Sequence, residues 1–313
     1  MYATSIVDNS TAKPKLIAVV GPTASGKSDL AVSIARFIKQ QTLASGAEVI
    51  SADSRQVYTG LDIGSGKITK KEMRSIPHHL LDVASPKRTF TVTRYQRLAK
   101  KAIASIVRRG RVPILCGGTG LYIDAVTRDY ILPDVPPQPA LRKELELRST
   151  DTLVAQLTRI DPQRAATIDQ YNRRRLIRAL EIVLTTHSPV PPITSSSPYD
   201  LLTIGIARPN EQLRSLIEAR LHRRIKSGML KEVARLHEHG VSWNRLDGLG
   251  LEYRWVSRHL RGILTREAMI ETLTTEIVQY AKRQMTWFKR DPSIHWITTE
   301  AEALVLVKKF LEK

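Results

Sequence analysis

Short apolar runs alternate with longer amphipathic segments over the first 127 residues of the chain. The runs Leu16–Val20, Glu48–Ser51 and Val112–Cys116 have the length of buried strands, and 80–83 is a further short candidate. The segment 95–109 instead repeats its apolar residues at the spacing of one helix face. Strands that alternate with helices in this way predict an α/β fold with a parallel sheet.

The pattern changes after Thr127. Prolines interrupt it between 133 and 139, and four helical stretches without an intervening strand follow to about Thr186. A segment rich in Ser and Pro then leads to an apolar run at Leu201–Ala207, and the remainder is mainly helical. A helical domain inserted into an α/β core explains this order. We therefore predict a disordered N-terminus at 1–14, a core with C-terminal helices at 15–127 and 198–313, and an inserted helical domain at 128–197.

The loop after the first apolar run has the sequence of a phosphate-binding P-loop. It consists of Gly21, Pro22, Thr23, Ala24, Ser25, Gly26, Lys27 and Ser28, and a helical pattern follows directly. In such a loop, backbone N–H groups and the helix N-terminus bind a diphosphate, while the lysine reaches its outer oxygens. Ser28 is placed to ligate Mg²⁺. A glycine turn that only caps a helix would need neither Lys27 nor Ser28. The core is therefore predicted to be a P-loop fold of the nucleoside-triphosphate-hydrolase type, with the reaction still open.

Polar residues accompany the other candidate strands. Asp53 follows the second strand, Thr119 follows the run that ends at Cys116, and Asp82 lies within the short run 80–83. Ligands of open parallel sheets bind at the carboxyl ends of the strands, so Asp53 is expected to face whatever the P-loop holds. An Asp after a strand is equally often only a helix cap. Asp82 is a possible Mg²⁺ ligand, and the glycine-rich segment 59–71 has the composition of a mobile loop over a site.

The chain is strongly basic, with 49 Lys and Arg against 30 Asp and Glu and a formal net charge of +19. Such an excess usually accompanies a polyanionic partner, most often nucleic acid, although a basic solvated surface is the alternative. Arginines cluster at 173–178, and between Ile277 and Arg290 the cationic side chains lie opposite an apolar arc. Together these features favour contact with RNA or DNA.

Cysteine content and hydropathy exclude several other classes of protein. Cys116 is the only cysteine, so neither an intrachain disulfide nor a cysteine-based zinc site can form. No apolar stretch approaches the ~20 residues of a membrane-spanning helix, and the first residues lack an apolar signal segment. We expect a cytoplasmic protein without a membrane partner, and nothing in the sequence requires more than a monomer.

Several motifs, taken in order, resemble one family. They are the P-loop, Ser51–Tyr58, Asp62–Gly64, Pro77–Leu80, Gly117–Tyr122, Arg175–Glu181, Ala281–Gln284 and Thr286–Phe288. Each motif is weak alone, but the ordered set, from Leu16 to about Ile297, resembles the tRNA dimethylallyltransferase family, also called tRNA isopentenyltransferase or IPP transferase. A chain with one cysteine lacks the zinc finger of the eukaryotic members and therefore resembles the bacterial type.

The resemblance implies transfer of a dimethylallyl group from dimethylallyl diphosphate to N6 of the adenosine 3′-adjacent to a tRNA anticodon. The P-loop would bind the diphosphate of the donor rather than ATP, and Mg²⁺ would share its charge. Asp53 matches the family's candidate for the base that accepts the amine proton. Lys27 and Arg220 would stabilise the departing diphosphate, and Thr119 would orient the substrate nucleotide.

The resemblance also implies which residues contact the tRNA. In the core they are Asp53, Ser54, Arg55, Gln56, Thr119, Leu249, Gly250, Leu251, Glu252, Tyr253, Arg254, Lys282, Arg283, Gln284, Met285, Thr286, Trp287, Phe288, Lys289 and Arg290. In the insertion they are Arg142, Arg174, Arg175, Leu176, Ile177 and Arg178. Arg174 stands where the family usually has Gln, and Leu249–Arg254 differs from the usual Gly-Tyr-Lys segment. Contacts in both parts would clamp the anticodon stem while the reacting base is flipped out of its stack.

Other proteins could use the same loop. A nucleoside-phosphate kinase would bind ATP there, but the sequence has no arginine-rich lid paired with a mononucleotide site, and the basic insertion would be unexplained. A prenyltransferase acting on free AMP or ATP would use the same donor, yet the insertion and the charge of +19 favour a larger anionic acceptor. A non-catalytic RNA-binding protein has no need for Asp53 beside a P-loop.

Overall fold

The structure, a computed structural model, describes residues 12–191 and 196–313. The chain divides into two compact units. Unit 1 contains the residues up to Arg128 together with Ser197–Lys313, and unit 2 contains Asp129–Ser196. Residues 1–11 of the N-terminal segment predicted to be disordered lie outside the described residues. Pro14, by contrast, is held at the start of the sheet, since its carbonyl accepts a hydrogen bond from the Asp200 N–H at 3.1 Å.

Within the described residues, unit 1 is built on a six-stranded sheet of β1 (Lys15–Val20), β2 (Ala47–Ser51), β3 (His78–His79), β4 (Val112–Gly117), β5 (Asp200–Ile206) and β6 (His295–Ile297). The strands lie in the order β3-β2-β4-β1-β5-β6, and all neighbouring pairs are parallel. The predicted α/β fold with a parallel sheet is therefore confirmed.

The central strand β1 is buried on both faces. Leu16 and Val20 belong to one apolar cluster, whereas Ile17 and Val19 belong to a second. Successive side chains of a strand point to opposite faces, so the two clusters lie on opposite sides of the sheet. A continuous apolar run, rather than an alternating one, is what a sheet covered on both faces requires.

Eight of the helices in the described residues begin after a residue whose side chain caps them. Thr69, Thr91, Ser149, Asp161, Asn172, Ser242, Thr265 and Thr299 each accept an N–H from the first turn of the helix that follows. In chain order the helices are α1 (Lys27–Gln40), α2 (Lys70–Met73), α3 (Val92–Arg108), α4 (Gly120–Thr127), α5 (Pro139–Glu146), α6 (Thr150–Ile160), α7 (Pro162–Thr167), α8 (Arg173–Thr186), α9 (Asn210–Lys226), α10 (Met229–Glu238), α11 (Trp243–Leu249), α12 (Leu251–Leu260), α13 (Arg266–Phe288) and α14 (Glu300–Leu311).

Unit 2 has its own core. Helices α5 to α8 fall within it, and Leu145, Leu153, Leu157, Leu176 and Leu180 are each fully buried in one apolar cluster. In unit 1, α1 and α14 contribute to the cluster that contains Ile17, while α3, α12 and α13 contribute to the cluster that contains Leu16. Each unit therefore buries an apolar core of its own.

The predicted strand at 80–83 is wrong. The edge strand β3 ends at His79, and the backbone then turns, with φ of 63° at Leu80 and 57° at Asp82. An extended strand cannot continue through left-handed residues. The Asp82 carboxylate forms an ion pair with Lys67 and follows β3, which lies three places from β1 in the sheet. Its role as an Mg²⁺ ligand stays a prediction.

Candidate active site

The register of the sheet determines where the site lies. Val20, the last residue of β1, is paired with Gly117 of β4, and Ser51 of β2 is paired with Cys116 of the same strand. Because the strands are parallel and end at the same level, the three segments that follow leave the sheet side by side. The structure thus brings together the P-loop, the loop that carries Asp53 and the turn that carries Thr119.

Asp53 and Thr119 are tied into the backbone of this edge. The Asp53 Oδ1 atom accepts a hydrogen bond from the Arg55 N–H at 2.8 Å, so Asp53 does cap the turn that follows it. The Thr119 Oγ1 atom accepts one from the Ser54 N–H at 3.0 Å and also bonds to the Tyr280 side chain. Burial lowers the pKa of Lys27 and of Arg220, and the Asp53 carboxylate offsets part of that change, so its charge acts on the site as well.

The P-loop curls around its own backbone. Ala24 and Gly26 have φ of 61° and 92°, which is the left-handed geometry that turns successive N–H groups toward a common centre. Helix α1 begins at Lys27, so its N-terminus ends this concavity. Ser25 is 1 % exposed, and its hydroxyl has no hydrogen-bond partner among the residues described. A polar ligand in the loop would satisfy this buried hydroxyl.

Lys27 lies inside the loop. Its Nζ atom donates a hydrogen bond to the Pro22 carbonyl at 3.0 Å. Burial lowers the pKa of Lys27, and the guanidinium groups of Arg220 and Arg224 lower it further. An anion bound here would reverse that effect, because an opposite charge favours the protonated amine.

Ser28 lies next to the one cysteine of the chain. Its side chain bonds to the Cys116 thiol, whose pKa burial raises to about 12. A thiol with that pKa stays protonated at neutral pH, so Cys116 is a packing residue rather than a nucleophile.

Helix α13 holds the P-loop against the turn after β4. The Gln284 side chain accepts a hydrogen bond from the Thr23 N–H at 2.9 Å and donates one to the Gly118 carbonyl at 2.7 Å. Three residues later, the Trp287 Nε1–H donates to Asp124 at 2.9 Å. Because Gln284 is buried, its amide holds the two loops in place and leaves the opposite face of the helix for other contacts.

Two arginines of α9 lie beside the loop Asp62–Gly66. Arg220 donates to the Gly66 carbonyl at 3.4 Å, and Arg224 donates both to the Gly64 carbonyl at 3.1 Å and to Glu252 at 2.9 Å. Burial and the neighbouring Arg224 lower the pKa of Arg220 to about 10. The resemblance identified Arg220 but not Arg224, although the spacing of one helical turn puts both side chains on the same face.

The glycine-rich loop is better anchored than its composition predicts. Glu232 accepts hydrogen bonds from the N–H groups of Asp62, Ile63 and Gly64, at 2.6 to 3.0 Å. The Tyr253 hydroxyl donates to the same carboxylate and accepts from the Ser65 N–H. No local pattern marked Glu232, because a single Glu on an amphipathic helix is usually solvated, whereas this one is buried.

The residues of unit 1 that were predicted to contact tRNA separate by exposure. Exposed side chains of the last turns of α13 and the residues after it are Lys282, Arg283, Thr286, Lys289 and Arg290. Partly buried are Ser54, Arg55, Gln56, Gly250, Leu251, Arg254, Met285 and Trp287. Leu249, Glu252, Tyr253, Gln284 and Phe288 are buried, and they hold the surrounding elements in position.

In unit 2, two of the six residues predicted to contact tRNA are exposed. Arg174 and Arg175 lie in the first turn of α8 with their side chains in solvent. Leu176 and Ile177 belong to the core of the unit. Arg142 and Arg178 both form ion pairs with Glu181, whose side chain is fully buried. The structure therefore places their guanidinium groups in an internal ion-pair network.

Two other classes of site do not occur among the described residues. Residues 12–191 and 196–313 contain no group of three His, Cys, Asp or Glu that could hold a metal ion by itself. None of the helices in the described part of the chain is long and apolar enough to cross a membrane.

Comparison with known proteins identifies the family. A family model described as IPP transferase matches residues 56–291. The tRNA dimethylallyltransferase 2 of Citrifermentans bemidjiense is 41% identical over 304 residues, which is 96% of each chain. The tRNA dimethylallyltransferase of a Roseiflexus species is 39% identical over 308 residues and aligns with 95% of this chain and 99% of its own.

Solved structures of similar fold support the same family assignment. The full-length tRNA isopentenylpyrophosphate transferase of Bacillus halodurans superposes with a TM-score of 0.72 at 36% identity, covering 96% of this chain and 97% of that one. A eukaryotic dimethylallyltransferase acting on tRNA has a TM-score of 0.73 at 24% identity, covering 91% and 74%, which shows the fold alone. Because the family model spans well over half of the chain and these relatives align with nearly all of it, the chain belongs to the IPP transferase family and is a transferase with a P-loop-type fold.

Proposed function

We propose that this enzyme transfers the dimethylallyl group of dimethylallyl diphosphate to N6 of the adenosine 3′-adjacent to a tRNA anticodon and releases diphosphate. Family membership supports this activity, and the relatives carry it in their names. The single observation that carries the proposal is the convergence of the P-loop, Asp53 and Thr119 at one edge of the sheet, because it sets a diphosphate site beside a carboxylate.

The donor would bind by its diphosphate. The N–H groups of the P-loop and the N-terminus of α1 would hold the phosphate oxygens, with Lys27 and Arg220 as the positive charges. As the allylic C–O bond breaks, negative charge grows on the departing diphosphate. Fixed cations aimed at that charge stabilise the transition state more than the ground state, which is the condition for a faster reaction.

The site residues fit Mg²⁺ only together with the donor. Ser28 would supply a hydroxyl ligand, and the part of the chain described has no group of three His, Cys, Asp or Glu that could hold the ion without the donor. Mg²⁺ commonly binds through a few protein oxygens and the phosphates of the substrate. The Ser25 hydroxyl, buried without a partner, is a further polar group that a phosphate would satisfy. When bound, Mg²⁺ would neutralise part of the diphosphate charge.

The acceptor nitrogen needs a base. The exocyclic amine of adenine is a poor nucleophile, because its lone pair is delocalised into the ring. Asp53 would take the proton as the C–N bond forms. The Arg55 N–H engages Oδ1, which fixes the carboxylate plane and leaves Oδ2 for the proton. Thr119, held by Ser54 and Tyr280, would orient the flipped nucleotide rather than move a proton.

The polyanion would be bound by exposed cations. Lys282, Arg283, Lys289 and Arg290 in unit 1 and Arg174 and Arg175 in unit 2 are exposed, and the net charge is +19. Such groups supply the salt-dependent part of binding to a phosphate backbone. A monomer in the cytoplasm, where its tRNA is found, completes the proposal.

The experiment is transfer of labelled dimethylallyl from its diphosphate in the presence of Mg²⁺. The acceptors are an unmodified tRNA whose anticodon is followed by adenosine, and free AMP; an Asp53→Ala variant is assayed on the tRNA. We expect label on the tRNA, none on AMP, and a loss of about 10² to 10⁴ in the variant. Label on AMP alone would indicate a free-nucleotide prenyltransferase, and ATP consumption without label would indicate a kinase.

A further inference from the structure

Arg224 lies beside Arg220 at the loop Asp62–Gly66. It follows Arg220 by one turn of α9, and its side chain is only 12 % exposed. Its Nη1 atom is engaged, because it donates to Glu252 at 2.9 Å and to the Gly64 carbonyl at 3.1 Å. These two bonds fix the guanidinium plane at one edge.

The other edge of Arg224 meets Arg220. Gly66 has φ of 60°, and an ideal Cβ placed on it would overlap the Nη2 atoms of both arginines. The two Nη2 atoms therefore converge on one point beside the loop, and only glycine leaves room for them. Two guanidinium groups brought together in this way repel one another, which contributes to the lowered pKa of Arg220.

The charges around this point are unbalanced. Arg220 and Arg224 both lower the pKa of Lys27, so three cations act on one region of the site. Glu252, which is buried, pairs with Arg224, and Asp53 acts on both Arg220 and Lys27. Glu72 also acts on Arg220, but it is exposed, so water screens its charge. A buried excess of positive charge costs free energy until an anion compensates it. A diphosphate, with several negative charges spread over two phosphorus centres, supplies that compensation.

We propose that Arg224 is a second guanidinium that binds the diphosphate group together with Arg220, and that Glu252 is the residue that positions it. The inference rests on the proposed function, in which the P-loop holds a prenyl diphosphate. It assigns the buried Glu252 to the donor side of the site, whereas the resemblance implied a contact with tRNA. A paired arginine fork suits a diphosphate, because each planar guanidinium can donate two parallel hydrogen bonds to phosphate oxygens.

The test measures the affinity of the full-length protein for inorganic diphosphate with Mg²⁺ by titration calorimetry. Arg224→Met removes the guanidinium but leaves Glu252 buried and unpaired, so this variant can lose stability. The double variant Arg224→Met with Glu252→Gln removes both charges and keeps the net charge unchanged. Arg223→Met, an exposed neighbour on the same helix, is the matched control.

We expect the double variant to bind diphosphate about 10- to 100-fold more weakly than the wild type, as lost charge-assisted hydrogen bonds imply. Arg223→Met should stay within about 2-fold, since exposed charges at a distance are screened. A double variant that is folded and binds like the wild type would overturn this inference alone. A wild type that binds no diphosphate would overturn the inference and the donor site of the proposed function together.

The positioning role of Glu252 has its own test. Glu252→Ala removes the acceptor that fixes Nη1 of Arg224, and we expect diphosphate affinity to fall about 3- to 10-fold, the size of one ordinary hydrogen bond, because Arg224 itself is retained. Glu252→Gln retains an oxygen at the same place and should restore most of the affinity. Equal losses in both variants, or no loss in either, would show that Glu252 does not position Arg224.

Discussion

In each unit of the molecule two arginines lie near a buried glutamate, but the ion pairs that they form differ. In unit 2, Arg142 and Arg178 both form ion pairs with Glu181. In unit 1, Arg224 pairs with Glu252, while Arg220 donates to a backbone carbonyl. The composition of the two groups is nearly the same, but the carboxylate in unit 2 serves both arginines and the carboxylate in unit 1 is bonded to one.

The difference separates a structural ion-pair network from a binding site. Burial would raise the pKa of Glu181, but hydrogen bonds from Arg142, the Gln138 N–H and Arg178 outweigh it and hold that pKa at about 2. The network therefore stabilises unit 2 without any ligand. Arg220 has a pKa lowered to about 10, so its charge is costly until a partner arrives. A buried guanidinium with a lowered pKa and no carboxylate bonded to it is typical of an anion-binding site.

The largest expected effect is on the chemistry of unit 1. Asp53→Asn should lower kcat for transfer by about 10²- to 10⁴-fold, because an amide cannot accept the amine proton. The amide oxygen can still accept the Arg55 N–H, so thermal stability should hardly change. Single-turnover transfer and a melting curve check both parts. A folded variant that keeps its rate would contradict the assignment of Asp53 as the base, and a lowered melting temperature would contradict the expected stability.

Arg220→Met should reduce kcat/KM for the donor by about 10²- to 10³-fold, the usual cost of removing one fixed charge from a developing anion. Removing a cation whose pKa is already lowered relieves repulsion, so stability should stay the same or rise slightly. Steady-state kinetics with varied donor and denaturant titration would show this. If the comparison of the two units is wrong and Arg220 is structural, stability will fall while kcat/KM of the folded protein stays near that of the wild type.

Glu181→Leu should lower stability, whereas Arg220→Met should lower activity. Losing the carboxylate leaves Arg142 and Arg178 without their shared partner, and we expect unit 2 to lose about 2 to 4 kcal/mol, moderated because both arginines can reach water. Hydrogen exchange of the α6 and α8 amides reports this locally. Glu144→Leu, which removes an exposed carboxylate of the same unit, is the control. Unchanged protection would mean that the Glu181 network does not stabilise the unit.

The same network makes unit 2 sensitive to acid. The pKa of Glu181 is lower in the folded protein than the ordinary value of 4.5, so its contribution is complete above pH 4.5 and is lost as pH falls toward about 2. Exchange protection of α8 should decline over that window in the wild type. In Glu181→Gln the decline should be shallower, and an identical pH dependence would contradict the linkage.

The smallest effect should come from the exposed arginines of α8. Arg175→Ala should weaken tRNA binding by a few-fold and reduce the slope of affinity against salt by about one, as expected for one lost phosphate contact. Arg142→Ala, which removes a guanidinium engaged by Glu181, should change that slope less. Filter binding at several salt concentrations separates the two. Equal slopes would show that engagement by Glu181 does not withdraw Arg142 from RNA.

Much of the fold could be predicted from local sequence patterns. The strands of the core are mostly continuous apolar runs, many helices begin after a capping residue, and the P-loop motif marks the carboxyl edge of the sheet. The turn at Leu80 and Asp82 was missed, because a run of apolar residues does not reveal left-handed backbone. The P-loop, Asp53 and Thr119 were expected together, since parallel strands deliver their following loops to one edge.

The pairing of charged side chains could not be predicted from the sequence. Arg142 and Arg178 are cationic residues of the kind that bind RNA, yet both are hydrogen-bonded to Glu181. Arg142 is far from Glu181 in the sequence, so no local pattern predicts their contact. Arg224 and Glu252 meet only after α9 and α12 have packed. Helical periodicity places a residue on a face, whereas the partner of a buried charge depends on tertiary contacts between distant segments.

The central claim is transfer to one exocyclic amine of tRNA, and the most direct measurement changes that amine. An unmodified tRNA whose anticodon is followed by adenosine is compared with the same tRNA carrying guanosine at that position, using labelled dimethylallyl diphosphate and Mg²⁺. The account predicts label on the first tRNA, released in the adenosine nucleoside after digestion, and none on the second. Equal labelling of both tRNAs would contradict it.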